Sequence, residues 1–446
     1  MSSPEPFGLS PSLLFSLVFA LVLTAAFVTR LWLANRQARH VAAHRSQVPA
    51  AFAGHVGLPA HQKAADYTLA KLRLGILELA LGTALALGWT LLGGLNALHQ
   101  GLLSLMGPGL AQQLCLLAAF TFIGSLFDLP FSWWSTFVID ERFGFNRSTL
   151  RLWLSDLFKS MALGVALGLP LAALILWVMA ALPATPWWQS WWFVAWAIWT
   201  AFNLLLLWIF PTFIAPMFNR FEPLADENLR LRVTALMERC GFQASGLFVM
   251  DGSRRSAHAN AYFTGLGRSK RVVFYDTLLQ RLTPEEVDAV LAHELGHFRK
   301  RHVTKRMLMM FGASLLGFAM LGWLAGQAWF YTGLGVTPML AWTGSGDPSG
   351  LGGNEALALL LMMLALPPFM FFLGPLAALG SRRHEYEADD FAAGQTRAAD
   401  LASALLKLYE DNASTLTPDP WYVRFYHSHP PALQRLEHLR GLPEPA

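Results

Sequence analysis

Long apolar runs alternate with short polar segments up to about residue 215, and then the rhythm changes. A bilayer core is crossed by roughly 20 apolar residues in a helix. By that measure seven runs predict membrane spans, near 12–34, 74–98, 110–138, 157–183, 187–215, 307–333 and 355–380. The third and last contain prolines (Pro130; Pro367, Pro368 and Pro375), which predict kinks, or a re-entrant segment in place of one span. Trp133, Trp134, Trp187, Trp188, Trp191 and Trp192 fall near span ends, as interfacial aromatic residues do. Two long polar segments remain, 216–306 and 381–446. In the first, a helix-like stretch at 226–240 is followed by short β-type runs at 246–251, 259–264 and 271–275, read as a small β-meander. Thr283, Pro284 and Glu286 then form a capping box, and the helix they open is expected to run unbroken into the sixth span.

Composition agrees with a membrane protein: 54% of the 446 residues are hydrophobic and only 14% charged. The net charge of +4 matters less than its placement. Segments rich in Lys and Arg alternate without a break with segments that have none. The positive-inside rule therefore puts the N-terminus outside and both long polar segments in the cytoplasm. Arg30, Arg36 and Arg39 follow the first apolar run instead of preceding it, which favours an uncleaved span over a signal peptide. The basic residues at 268–271 and 299–306 lie beside a span and are read as facing anionic lipid headgroups, with no nucleic-acid partner. Cys115 and Cys240 have neither disulfide-framework nor metal-site spacing.

The candidate chemistry lies in the capped helix, at His293-Glu294-Leu295-Gly296-His297. Four helical residues advance about 400°, so the two histidines share a face and can bind one Zn²⁺, with Glu294 in reach of a water. His302, five residues further on, is turned off that face and reads as a solvated residue in a basic run. An open zinc site needs a third protein ligand. The stretch after the last span, Ser381-Arg382-Arg383-His384-Glu385-Tyr386-Glu387-Ala388-Asp389, offers one on the same membrane side. Spacing does not choose between Glu385, Glu387 and His384. Glu385 as ligand with Asp389 bonding a ligand imidazole would follow the usual support of metal-bound histidines.

Several stretches together resemble the integral-membrane zinc CAAX prenyl protease family, over about residues 30 to 440. They are FVIDERFGFNRST (137–149), FPTFIAPMFNRFEPL (210–224), SAHANAYFTGLGRSKRVVFYDTLL (256–279), HELGH (293–297), SRRHEYEAD (381–389) and SHPPALQRL (428–436). HELGH alone is common to many metallopeptidases; the combination in this order is specific. The resemblance implies a mostly α, polytopic membrane protein whose seven transmembrane helices enclose a chamber, with a cytoplasmic zincin-like region. The chain would divide into a five-span region, 1–215, and a metallopeptidase region, 216–446.

The resemblance also implies one Zn²⁺ per chain on His293, His297 and Glu385, with Glu294 as general base and Asp389 behind the ligands. His429 resembles the family's oxyanion donor, supported by Arg435. Asn260, Ala261 and Tyr262 would form an edge strand beside which a substrate lies. The Glu141-Arg142-Phe143-Gly144-Phe145-Asn146 loop is read as packing. Expected partners are a peptide or protein substrate, with or without a prenyl group, and membrane lipid. The C-terminal residues carry no retrieval signal, so a bacterial inner membrane is expected. The alternatives are a quality-control protease without CAAX substrates and a non-enzymatic lipid or ion conduit or scaffold, for which Glu294 would have no use.

Overall fold

Six helices are long and apolar enough to cross a membrane singly: Pro11–Ala43, Leu58–Trp89, Leu110–Asp140, Leu150–Ala181, Trp191–Phe218 and His302–Leu324. The pair Glu355–Phe371 and Gly374–Ala393, bent by 66°, makes a seventh if taken as one broken span. The bend falls where the sequence placed its prolines: Pro367 and Pro368 end the first helix of the pair, and Pro375 sits in the first turn of the second. The computed structural model describes residues 10–182, 189–242, 246–264, 271–339 and 353–442. Trp187, Trp188, Arg268 and Lys270 lie outside the described residues.

Among the described residues the spans share one large buried cluster. Phe19, Leu95, Leu116, Leu176, Trp191, Phe330 and Leu361 form an apolar cluster at the span ends opposite the polar segments. Below it both of the first two spans line a cavity of about 1590 Å³. Each turns one stripe towards it: Leu23, Ala26, Arg30, Ala34 and Gln37 from the first, and Lys71, Gly75, Glu78, Gly82 and Ala86 from the second. That spacing is one face of a helix. Charged residues at membrane depth face a wet interior because lipid cannot solvate them. Lys71 also pairs with Asp140 at 2.8 Å.

The polar segments form a second body around their own core, which includes Val233, Leu236, Phe274, Leu291, Leu295, Ala392 and Leu401. Its sheet corrects the expected meander. Strands β1 (Phe221–Pro223), β2 (Gly246–Met250), β3 (Ala261–Thr264) and β4 (Arg271–Tyr275) lie in the order β1-β2-β4-β3, and β2 and β4 are parallel. Val272, Val273 and Phe274 are consecutive and all buried, so β4 needs cover on both faces and takes a central place. The shorter β3 is left at the edge, paired among the described residues with β4 alone.

The helix carrying HELGH, Pro284–Arg299, opens with the expected capping box. Glu286 also accepts from Ser403 and Lys407, both at 2.7 Å, which ties the helix start to Ala398–Asp411. The helix does not continue into the span. Arg301 stands in the left-handed region at φ 57°, and a new helix starts at His302. The turn sends His302 into the interior, 1% exposed, which overturns its reading as a solvated residue.

Candidate metal centre

Two helices build the site, and Gly296 lets them meet. A Cβ at Gly296 would lie 3.0 Å from the Ala388 Cα and 3.1 Å from its carbonyl oxygen, too close for any other residue without a shift. This contact sets His293 and His297 opposite Glu385. The His293 and His297 Nε2 atoms are 3.3 Å apart. The Glu385 oxygens lie 3.5 Å from His293 Nε2 and 3.4 Å from His297 Nε2. Tetrahedral zinc with bonds of about 2.0–2.1 Å spaces its ligand atoms about 3.3–3.4 Å apart. The two imidazole nitrogens have that spacing, and the carboxylate offers Oε2 to one and Oε1 to the other at nearly the same distance, so the three residues can hold such an ion. Glu385 is 3% exposed, and its Oε2 has no hydrogen-bond partner among the described residues. A buried carboxylate oxygen left so is costly unless a cation faces it.

The outer nitrogens of both histidines are occupied. His293 Nδ1 donates to Asp389 Oδ1 at 2.8 Å. Asp389, fully buried, also accepts from Arg435 Nε at 2.9 Å and from a second Arg435 nitrogen. The other Arg435 nitrogen is 3.9 Å from Glu385 Oε2. His297 Nδ1 is 3.0 Å from His302 Nδ1. Of the three residues left open by spacing, Glu385 alone joins the two histidines. Glu387 bonds His302 Nε2 at 3.0 Å, and His384 stacks on the His302 ring.

Burial opposes charge on His293, but its bond to Asp389 and the Glu385 carboxylate beside it outweigh burial and lift the imidazole to about 9. His297 is pushed down to about 4 by burial and by the neighbouring His293. Burial raises the Glu294 carboxyl above its ordinary value, towards the range useful in a base at neutral pH. Glu294 lines the cavity beside His293 and Glu385.

His429 is exposed in the cavity wall, with Nε2 3.5 Å from Glu385 Oε1 and Nδ1 3.0 Å from Ser428 Oγ. Asn260 and Ala261 line the same cavity. The Asn260 side chain accepts from the Ala261 N–H at 2.8 Å. Tyr262 turns away, against Tyr275 and Met250. The Phe143 and Phe145 loop packs on Tyr67 and His258. Three supports were missed in the sequence. His302 was hidden by the assumption of a continuous helix. Arg382 donates to the carbonyls of Val423 and His427, holding the segment that leads to His429. Asn412 accepts from the Ala259 N–H, holding the approach to β3. No local pattern marks either of the last two.

Comparison with known proteins covers most of the chain. The family model described as CAAX prenyl protease N-terminal, five membrane helices, matches residues 37–220, and that of peptidase family M48 matches 223–442. The chain is 36% identical to CAAX prenyl protease 1 of Saccharomyces cerevisiae over 332 residues, 74% of this chain and 72% of that protein. It is 36% identical to the Arabidopsis thaliana CAAX prenyl protease 1 homolog over 316 residues, 70% of each. The crystal structure of S. mikatae Ste24p matches with a TM-score of 0.85 at 31% identity, covering 95% of this chain and 99% of that one. These relatives are eukaryotic and lend no support to a bacterial inner membrane.

Proposed function

Because the chain belongs to peptidase family M48, among the integral-membrane CAAX prenyl proteases, we propose that it is a zinc endopeptidase cutting peptide bonds at the cytoplasmic membrane face. His293, His297 and Glu385 would hold one Zn²⁺. The observation that carries this reading is the close grouping of two imidazole nitrogens and the Glu385 carboxylate, with a buried carboxylate oxygen that no hydrogen bond satisfies. Bound there, zinc would polarise the scissile carbonyl and lower the pKa of water.

The chain's own groups supply the rest. The Glu294 carboxylate takes a proton from the attacking water and returns it to the leaving nitrogen. His429 Nε2–H donates to the carbonyl oxygen as charge develops there. Its bond to Ser428 and the grip of Arg382 on the preceding segment orient it. Asp389 keeps the His293 hydrogen on Nδ1, and Arg435 offsets the buried carboxylate charge. A substrate strand adds beside β3, with the Asn260 amide nitrogen available to it. The side chain of Tyr262 takes no part in that contact, so its share is main chain only.

The substrate class proposed is a CAAX-type tail bearing a prenyl group. The cavity is larger than the roughly 300–1,000 Å³ usual for small ligands, and it runs to the site from between the spans, where Leu23, Ala26, Ile76 and Leu79 line it beside the charged residues. The five-span region, 1–215, would supply the chamber walls, and 216–446 the chemistry. The N-terminus would lie on the non-cytoplasmic side.

The test is hydrolysis of a farnesylated CAAX peptide and its unmodified form by detergent-purified protein, with and without chelator. Cleavage that chelation abolishes and zinc restores supports the reading. Equal cutting of both peptides would point to membrane-protein substrates without a prenyl requirement. His297→Ala should lose the metal; full retention at one zinc per chain would refute the ligand set. Cysteines placed at Leu103 and Ser428 should label from opposite sides of the membrane.

A further inference from the structure

We propose that His302 and Glu387 form a relay that fixes the tautomer and ring orientation of His297 for metal binding. This rests on the zinc reading above and adds two positioning residues to it. The direction of each bond follows from its end. The Glu387 carboxylate only accepts, so His302 Nε2, 3.0 Å from Glu387 Oε2, carries the hydrogen. In the neutral ring His302 Nδ1 is then an acceptor. His297 Nδ1, 3.0 Å away, must donate to it. The His297 lone pair is thereby left on Nε2, which faces His293 Nε2 at 3.3 Å and Glu385 Oε1 at 3.4 Å.

The two ligand histidines are thus locked by different devices. His293 leans on a buried carboxylate held by an arginine. His297 reaches its carboxylate through a second imidazole. That imidazole is itself immobilised: His302 is 1% exposed, and the His384 ring stacks on it with centroids 4.0 Å apart and planes 11° from parallel. Glu387 is steadied in turn by Arg383 Nε at 3.3 Å. The break at Arg301 is what brings the ring here. In a continuous helix, five residues turn about 500°, so His302 would point roughly 140° away from His297. The left-handed residue returns His302 to the site.

Groups behind a metal's ligands typically alter affinity 10- to 100-fold when removed. The experiment measures zinc affinity by chelator competition on the full chain in detergent, with melting temperatures of the zinc-free and zinc-loaded forms. His302→Ala should weaken zinc binding about 10- to 100-fold. Glu387→Ala should weaken it by less. His302→Asn, which restores an acceptor near Nδ1, should recover most of the loss. A packing role would lower both melting temperatures together and leave zinc affinity unchanged, and that result overturns the proposal. If His302→Ala does not fold, Glu387→Ala at its partly exposed position decides alone: weaker binding supports the relay, and unchanged affinity refutes it. Wild-type protein that binds no zinc would defeat the metal reading itself and the relay with it.

Discussion

The second span, Leu58–Trp89, and the HELGH helix, Pro284–Arg299, invert each other. In the most apolar stretch of the span no residue is buried in protein, and Leu77 is 61% exposed. In the HELGH helix half of the 16 residues are buried, among them Glu286 and His293. Lipid accepts the span's leucines at no cost, so its sequence can stay apolar while only a stripe faces the chamber. The HELGH helix is wrapped by protein, so each polar group inside it must be matched. Hydrophobicity therefore locates the spans, while satisfied polarity locates the chemistry.

The contrast sets an order of sensitivity. The largest effect belongs to Glu294→Gln, which should keep zinc and lower turnover by about 10²- to 10⁴-fold in the peptide assay; a fully active variant would remove the base. Arg435→Met leaves Asp389 buried and without its cation, and should destabilise by about 3–5 kcal/mol, read as a fall in melting temperature. A surface-like response there would erase the distinction between the two helices. Gly296→Ala forces the HELGH helix away from Ala388 and should cost about 1–3 kcal/mol. At the other extreme, Leu77→Ala on the span should stay within about 0.5 kcal/mol and leave turnover unchanged. A large loss there would mean that this face is covered by protein.

What could be read in the sequence follows the same division. The spans, the prolines at the 66° bend and the capping box are local patterns, and the structure has them. The choice among His384, Glu385 and Glu387 was not readable, because it depends on how one helix rotates against another at Gly296. The strand order escaped because β4 needs two neighbours, a tertiary demand that adjacency in sequence obscures. His302 escaped because a non-glycine residue in the left-handed region leaves no compositional trace.

The turn at Arg301 also has a mechanical side. Membrane helices change tilt as bilayer thickness varies. Were Pro284–Arg299 and His302–Leu324 one rod, the span would act as a lever on the site. His293 lies eight residues from Arg301 in the sequence, about 12 Å along a helix, so a tilt of about 5° would sweep it by about 1 Å at that rise. Misplacements of about 1 Å already cost catalysis dearly. The break at Arg301 interrupts that rod, and the HELGH helix is packed against its partner at Gly296. Turnover is therefore expected to change little between bilayers of different thickness, and a steep dependence on lipid chain length would show that the break transmits the tilt.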